Sequence, residues 1–158
     1  AIVNQDKVTI GEESIKNNNQ FNPKINFEEN VSLLKFHPGF NSEIIDKIIE
    51  LDAKGIILEG TGLGHVNSRC NKSIKKAIDS GMFVGMTSQC LQGRIKMTVY
   101  SAGRDLLNIG VIPLEDMIPE TALVKLMWAY GNYENKEIKN IMLNNIAREY
   151  TERSILGR

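Results

Sequence analysis

Two hydrophobic periods alternate along the middle of this chain. Short apolar runs, "VSLLKF" at 31–36, "GIILE" at 55–59 and "MFVGMTS" at 82–88, have the length of buried strands. Between them lie amphipathic stretches. In "SEIIDKIIELDAK" the apolar residues Ile44, Ile45, Ile48, Ile49 and Leu51 follow one helix face, and Ser42 stands where an N-cap belongs. "SRCNKSIKKAIDSG" reads as a second helix closed by Gly81. Strand, helix, strand, helix, strand predicts parallel strands joined by right-handed crossovers.

The rhythm then loosens. "RIKMTVY" suggests a short extended piece, followed by a helix from about Ser101 to Ile109. "PETALVKLMWAYG" predicts a helix with Pro119 near its start, Glu120 in its first turn and Gly131 at its end. "NKEIKNIMLNNIAREYTERS" predicts another, with Ile138, Ile141, Met142, Ile146 and Tyr150 near one face. Residues 1–30 are polar and asparagine-rich. They read as a linker or N-terminal arm, with "IVNQDKVTI" a short strand or hairpin arm and "KNNNQFNPK" the least structured part. The expected domain is 31–158, a small parallel sheet flanked by helices in a Rossmann-like three-layer α/β arrangement. The opening "AIVNQDKVTIGEE" reads like the interior of a longer polypeptide.

Composition narrows the chemistry. The 158 residues are 42% hydrophobic, which suits one globular domain. Nineteen basic and 19 acidic residues cancel, against a large nonspecific nucleic-acid surface. No apolar run has the length of a membrane span. Cys70 and Cys90 make neither a disulfide framework nor a metal spacing, and His37 and His65 are the only histidines. A reducing, cytoplasmic setting without a metal site is expected.

Parallel strands deliver their trailing loops to one edge, where open α/β sheets bind ligands. "HPGFN", "GTGLGHV" and "TSQCLQG" should therefore share a rim carrying His37, Gly62, Leu63, Gly64, His65, Ser88, Gln89 and Cys90. The dinucleotide fingerprint is not met. Gly60 and Gly62 fit it, but Gly64 comes one place early and His65 holds the third glycine's position. A phosphate loop ending in G-K-[ST] is also missing. Cys90 and His65 share the rim as a Cys–His pair, yet no orienting group stands beyond Gln89, and a small buried apolar Cys90 is the competing reading. His37 precedes Pro38 and reads as structural. Leu123, Met127 and Trp128 read as core, and Arg94, Arg104, Arg148 and Arg153 as a solvated face.

The segments "VSLLKFHPGF", "GIILEGTGLGHV", "GMFVGMTSQCLQGRIKMTVYSAGRDLLNIGVI" and "EDMIPETALVKLMWAYG" resemble, in order, the C-terminal domain of the L-asparaginase family, from about Val31 to Glu149. "GTGLGHV", "GVIPLEDMIPETALVKLMWA" and "NIAREYTERS" resemble most its archaeal glutamyl-tRNA(Gln) amidotransferase branch. That resemblance implies a two-domain subunit whose other domain holds a threonine nucleophile. It implies ammonia release from Asn or Gln for conversion of Glu-tRNA(Gln) to Gln-tRNA(Gln). It also implies a homodimer, a second, kinase/transferase subunit that brings ATP and Mg, and indirect contact with tRNA. No T-G-G-T loop or T-D dipeptide occurs in this chain, so no catalytic residue is expected within it and the chain alone should be inactive. By the resemblance, Gly62, Leu63, Gly64 and His65 line a neighbouring subunit's substrate pocket. Two other readings stay open: the same domain of a cytoplasmic type I L-asparaginase, or a stand-alone amino-acid-binding module.

Overall fold

The structure, a computed structural model, describes residues 2–4, 7–9 and 22–151. Near the start, β1 (Ile2–Asn4) pairs antiparallel with β2 (Lys7–Thr9), matching the hairpin-arm reading of "IVNQDKVTI". The reading of "KNNNQFNPK" lies largely outside the described residues.

The main sheet is parallel throughout, in the order β3 (Val31–Lys35), β4 (Gly55–Gly60), β5 (Phe83–Ser88), β6 (Ile112–Pro113). All residues of β4 and β5 are buried, as expected for strands covered on both faces. Side chains alternate between two cores. Ile56, Leu58, Val84 and Met86 meet Ile45, Ile74 and Leu106 from α1 (Glu43–Glu50), α2 (Asn71–Asp79) and α3 (Ser101–Ile109). Ile57 and Phe83 meet Leu126, Ala129, Ile138 and Met142 from α4 (Pro119–Asn132) and α5 (Asn135–Leu143). The result is the helix–sheet–helix sandwich expected from the sequence.

Several local expectations are corrected. Ser42 holds the N-cap position of α1 but its side chain makes no capping bond; the residue before it, Asn41, accepts from Glu43 N through Oδ1 at 3.0 Å. "RIKMTVY" forms no strand, and the fourth strand is Ile112–Pro113, where a two-residue edge leaves almost no pattern to read. Gly131 lies inside α4 rather than ending it. Its missing side chain admits another backbone: a Cβ there would sit 2.5 Å from Asn26 C and O. Residues 24–30 are thus a strap against α4 rather than a loose linker. Glu28 N donates to Met127 O at 2.9 Å, Trp128 Nε1 to Lys24 O at 3.0 Å, and Asn132 Nδ2 to Asn26 O at 2.8 Å.

α5 stops at Leu143, well before the expected end, and residues 152–154 of that expected helix lie outside the described residues. Arg148 adopts φ +60°, which a helix does not accommodate. On α4 the buried stripe is Ala122, Lys125, Leu126 and Ala129, while Leu123, Met127 and Trp128 are half-buried.

Candidate functional site

The three loops that follow β3, β4 and β5 leave the sheet at the same end and are tied together. Register pairs Lys35 with Glu59 and Gly60 with Ser88, so the strands finish almost level. Phe36 N donates to Glu59 O at 3.0 Å, and Gln89 N donates to Gly60 O at 2.9 Å. The Gln89 amide nitrogen donates to Phe36 O at 2.5 Å and to Glu59 O at 3.2 Å.

The glycine loop itself is a tight reversal. Thr61 and His65 form an isolated antiparallel bridge, with Thr61 N donating to His65 O at 2.9 Å and His65 N to Thr61 O at 3.0 Å. Such a reversal needs left-handed backbone, and Gly62 (φ +51°) and Gly64 (φ +94°) supply it. Gly64 also lies against the core: a Cβ would come within 3.1 Å of both Met86 Cγ and Met97 Cγ. Beneath the loop, Ser88 Oγ donates to Gly62 O at 2.6 Å, and Lys96 N donates to Leu63 O at 3.0 Å.

His65 is half-buried, but its Nε2 is fully buried and has no hydrogen-bond partner. Its ring meets the Tyr100 ring edge-on at 5.4 Å. An imidazole nitrogen kept from water without a partner costs about 1–3 kcal/mol. The ring partner Tyr100 is 59% exposed, as are its chain neighbour Val99 (48%) and, earlier in the same loop, Leu91 (88%).

The rim hydroxyls are occupied by backbone. Thr61 Oγ1 lies 3.4 Å from His65 O, Thr87 Oγ1 donates to Leu58 O at 3.1 Å, and Ser88 Oγ donates to Gly62 O. Cys90 is exposed, which overturns its reading as a small buried residue; Cys70 is the buried thiol, and burial pushes its pKa up. His37 is exposed, its ring edge-on to Phe40 at 5.9 Å.

Two features at the rim escaped the sequence. Glu59, buried at the end of β4, pairs with Lys35 at 2.8 Å, and only the parallel register puts them side by side. Arg94, read as one of a solvated set, has a side chain only 16% exposed and meets Glu115 at 2.5 Å. Among the described residues no group of three or more His, Cys, Asp or Glu side chains could hold a metal ion. No described helix is long and apolar enough to cross a membrane. Two clefts lie away from the rim. One of about 450 Å3, bordered by Lys54, Met82 and Tyr130, opens at the other end of the strands. An apolar one of about 530 Å3 lies along α4.

Comparison with known proteins agrees with this architecture. The family model described as the glutaminase/asparaginase C-terminal domain matches residues 30–142. A glutamyl-tRNA(Gln) amidotransferase subunit from Metallosphaera sedula is 52% identical over 138 residues, 87% of this chain and 31% of the relative. The corresponding subunit of Pyrococcus furiosus is 54% identical over 125 residues, 78% of this chain and 28% of the relative. This chain therefore spans less than a third of the length of those relatives. The thermostable L-asparaginase from Thermococcus kodakarensis superposes with a TM-score of 0.79 at 34% identity, covering 96% of this chain and 47% of that one. L-asparaginase I from Vibrio cholerae gives 0.75 at 28% identity, covering 85% and 41%. With the family model matching most of its length, the chain belongs to the glutaminase/asparaginase C-terminal domain family.

Proposed function

We propose that this chain is the C-terminal domain of the amidase subunit of a glutamyl-tRNA(Gln) amidotransferase, and that its rim completes the active site of a neighbouring catalytic domain. The observation that carries the reading is His65. An unpartnered, buried imidazole nitrogen stands where the glycine loop closes back on Thr61, against the exposed Tyr100 ring. A complete acylation site needs a nucleophile with its base and an oxyanion hole. Here the nearby hydroxyls serve the backbone, so the reactive half belongs to another polypeptide segment.

In this reading a threonine of the neighbouring catalytic domain attacks the side-chain amide of Gln or Asn. The half-buried His65 ring lines the pocket of the bound amino acid, and the exposed Leu91, Val99 and Tyr100 offer apolar surface to the catalytic domain. Ammonia then passes to Glu-tRNA(Gln). The pairing of two copies, the contact with a second, kinase/transferase subunit and indirect contact with tRNA belong to the same proposal, as does a cytoplasmic setting. ATP and magnesium act on that second subunit, not in this domain.

The two halves can be separated experimentally. Ammonia release from Gln and Asn should be absent for this chain alone and present for the full-length subunit. Turnover by the isolated chain contradicts the reading. In the full-length subunit, His65→Ala should raise KM about tenfold with a smaller change in kcat, as removal of a substrate contact does. Unchanged kinetics contradict the assignment of His65.

A further inference from the structure

We propose that Gln89 is a positioning residue that sets the glycine loop for its role in the pocket, a proposal that rests on the function assigned above. Its place in the structure is unusual for a loop side chain. Gln89 directly follows β5, yet its amide nitrogen reaches past the end of β4 to the end of β3. One nitrogen facing the two carbonyl oxygens of Phe36 and Glu59 must donate two hydrogens. A glutamine side chain has them; a glutamate of the same length brings lone pairs instead, and a leucine brings nothing.

The backbone of the same residue holds the start of the glycine loop, through Gln89 N and Gly60 O at 2.9 Å. Its neighbour Ser88 holds the tip, through Ser88 Oγ and Gly62 O at 2.6 Å, and also accepts from Cys90 N at 3.1 Å. Residues 88 and 89 therefore clasp the loop from below while the Gln89 amide anchors them to the first loop. The rest of the tip is held by Lys96 N on Leu63 O at 3.0 Å, while at Gly62 itself a Cβ would meet nothing within 4 Å. A loop with an open tip keeps its place through its hydrogen bonds, and losing the amide lets His65 move relative to the substrate.

Gln89→Glu in the full-length subunit is the test. Near neutral pH the new carboxylate faces two carbonyl oxygens, and kcat/KM for the amide substrate should fall about tenfold, mostly through KM. As pH falls the new carboxyl takes up a proton and regains one donor, so the variant should approach wild type in acid. The charged groups on the strands it meets, Lys35 and Glu59, already pair with each other at 2.8 Å, and His37 follows on the first loop. Gln89→Leu, which cannot regain a donor, should stay low at every pH. Hydrogen exchange gives a second readout: the amides of Thr61, Gly64 and His65 should exchange faster in both variants at neutral pH.

Wild-type kinetics and unchanged exchange in Gln89→Glu overturn the inference. So does a loss of activity whose ratio to wild type is the same at all pH values, since that marks a general structural defect. If the wild-type subunit releases no ammonia, the assigned function fails. Loop exchange then decides on Gln89 as the holder of the loop, with faster exchange supporting it and unchanged exchange overturning it.

Discussion

Lys125 of α4 and Glu149 of the closing segment form an ion pair whose side chains are only 7% and 6% exposed. The lysine ammonium also donates to Met142 O at 3.2 Å and Asn144 O at 2.6 Å. The glutamate accepts from Ile146 N at 3.1 Å and Ala147 N at 2.6 Å. A buried pair satisfied on both sides fixes the chain after α5 in one path. Removing one partner leaves a buried charge alone and costs about 3–5 kcal/mol. Glu149→Gln should therefore lower the melting temperature strongly at neutral pH, whereas a surface change such as Lys136→Gln, in the exposed pair with Glu134, should leave it nearly unchanged.

The same pair sets an acid limb of stability. Burial works against the charged Glu149, but the bonds from Lys125 and from the backbone N–H groups of Glu149, Ala147 and Ile146 outweigh it, so its carboxyl sits below the usual 4.5. A depressed folded pKa contributes stability that is present above 4.5 and is lost as pH falls through the folded value. Thermal melts of the wild type from pH 7 downward should show this loss in the acid range. In Glu149→Gln the acid limb should be shallower; identical limbs would contradict the assignment.

Gly131 predicts a different kind of sensitivity. A Cβ there would meet the Asn26 and Phe27 backbone at 2.5–2.7 Å, and backbone cannot swing aside as a side chain does. Gly131→Ala should displace the strap 24–30 at a cost of about 1–3 kcal/mol. Trp128, the only tryptophan, reports it directly, because its indole N–H donates to Lys24 O. Its fluorescence should shift to the red in the variant while the helical circular dichroism stays close to wild type.

The two thiols should separate cleanly. Cys90 is exposed and Cys70 buried. An aromatic disulfide reagent should modify Cys90 in the native protein and reach Cys70 only after denaturation. Rapid modification of Cys70 in the folded state would contradict the packing of α2 against the sheet.

Much of this fold was legible because its signals are local. Buried strands such as "GIILE" and helix faces such as Ile45, Ile48 and Ile49 declare their period within a few residues, though Ile44 and Leu51, read onto the same face, are exposed, and α3 lies where its pattern put it. What escaped depends on distant partners. Gly131 looks like a helix stop until the strap that packs on it is seen. Ile146 and Tyr150 continue the period of α5, but Glu149 is drawn out of that path to Lys125. β6 has two residues, one of them a proline, and so shows no alternation. At the rim, the sequence put the right loops at one edge. The reach of Gln89 across β4 and the pairing of Lys35 with Glu59 depend on strand register, which no single stretch encodes.

The proposed role of the rim is tested most directly by mixing equal amounts of two impaired forms of the full-length protein, with substrate well below KM. One carries His65→Ala; the other keeps His65 but lacks the threonine proposed as nucleophile. If the rim serves a neighbour, each mixed dimer holds one intact site, and random mixing should restore about a quarter of wild-type ammonia release. A mixture no more active than the average of its components would show that His65 serves its own chain or no site at all, and would contradict the account.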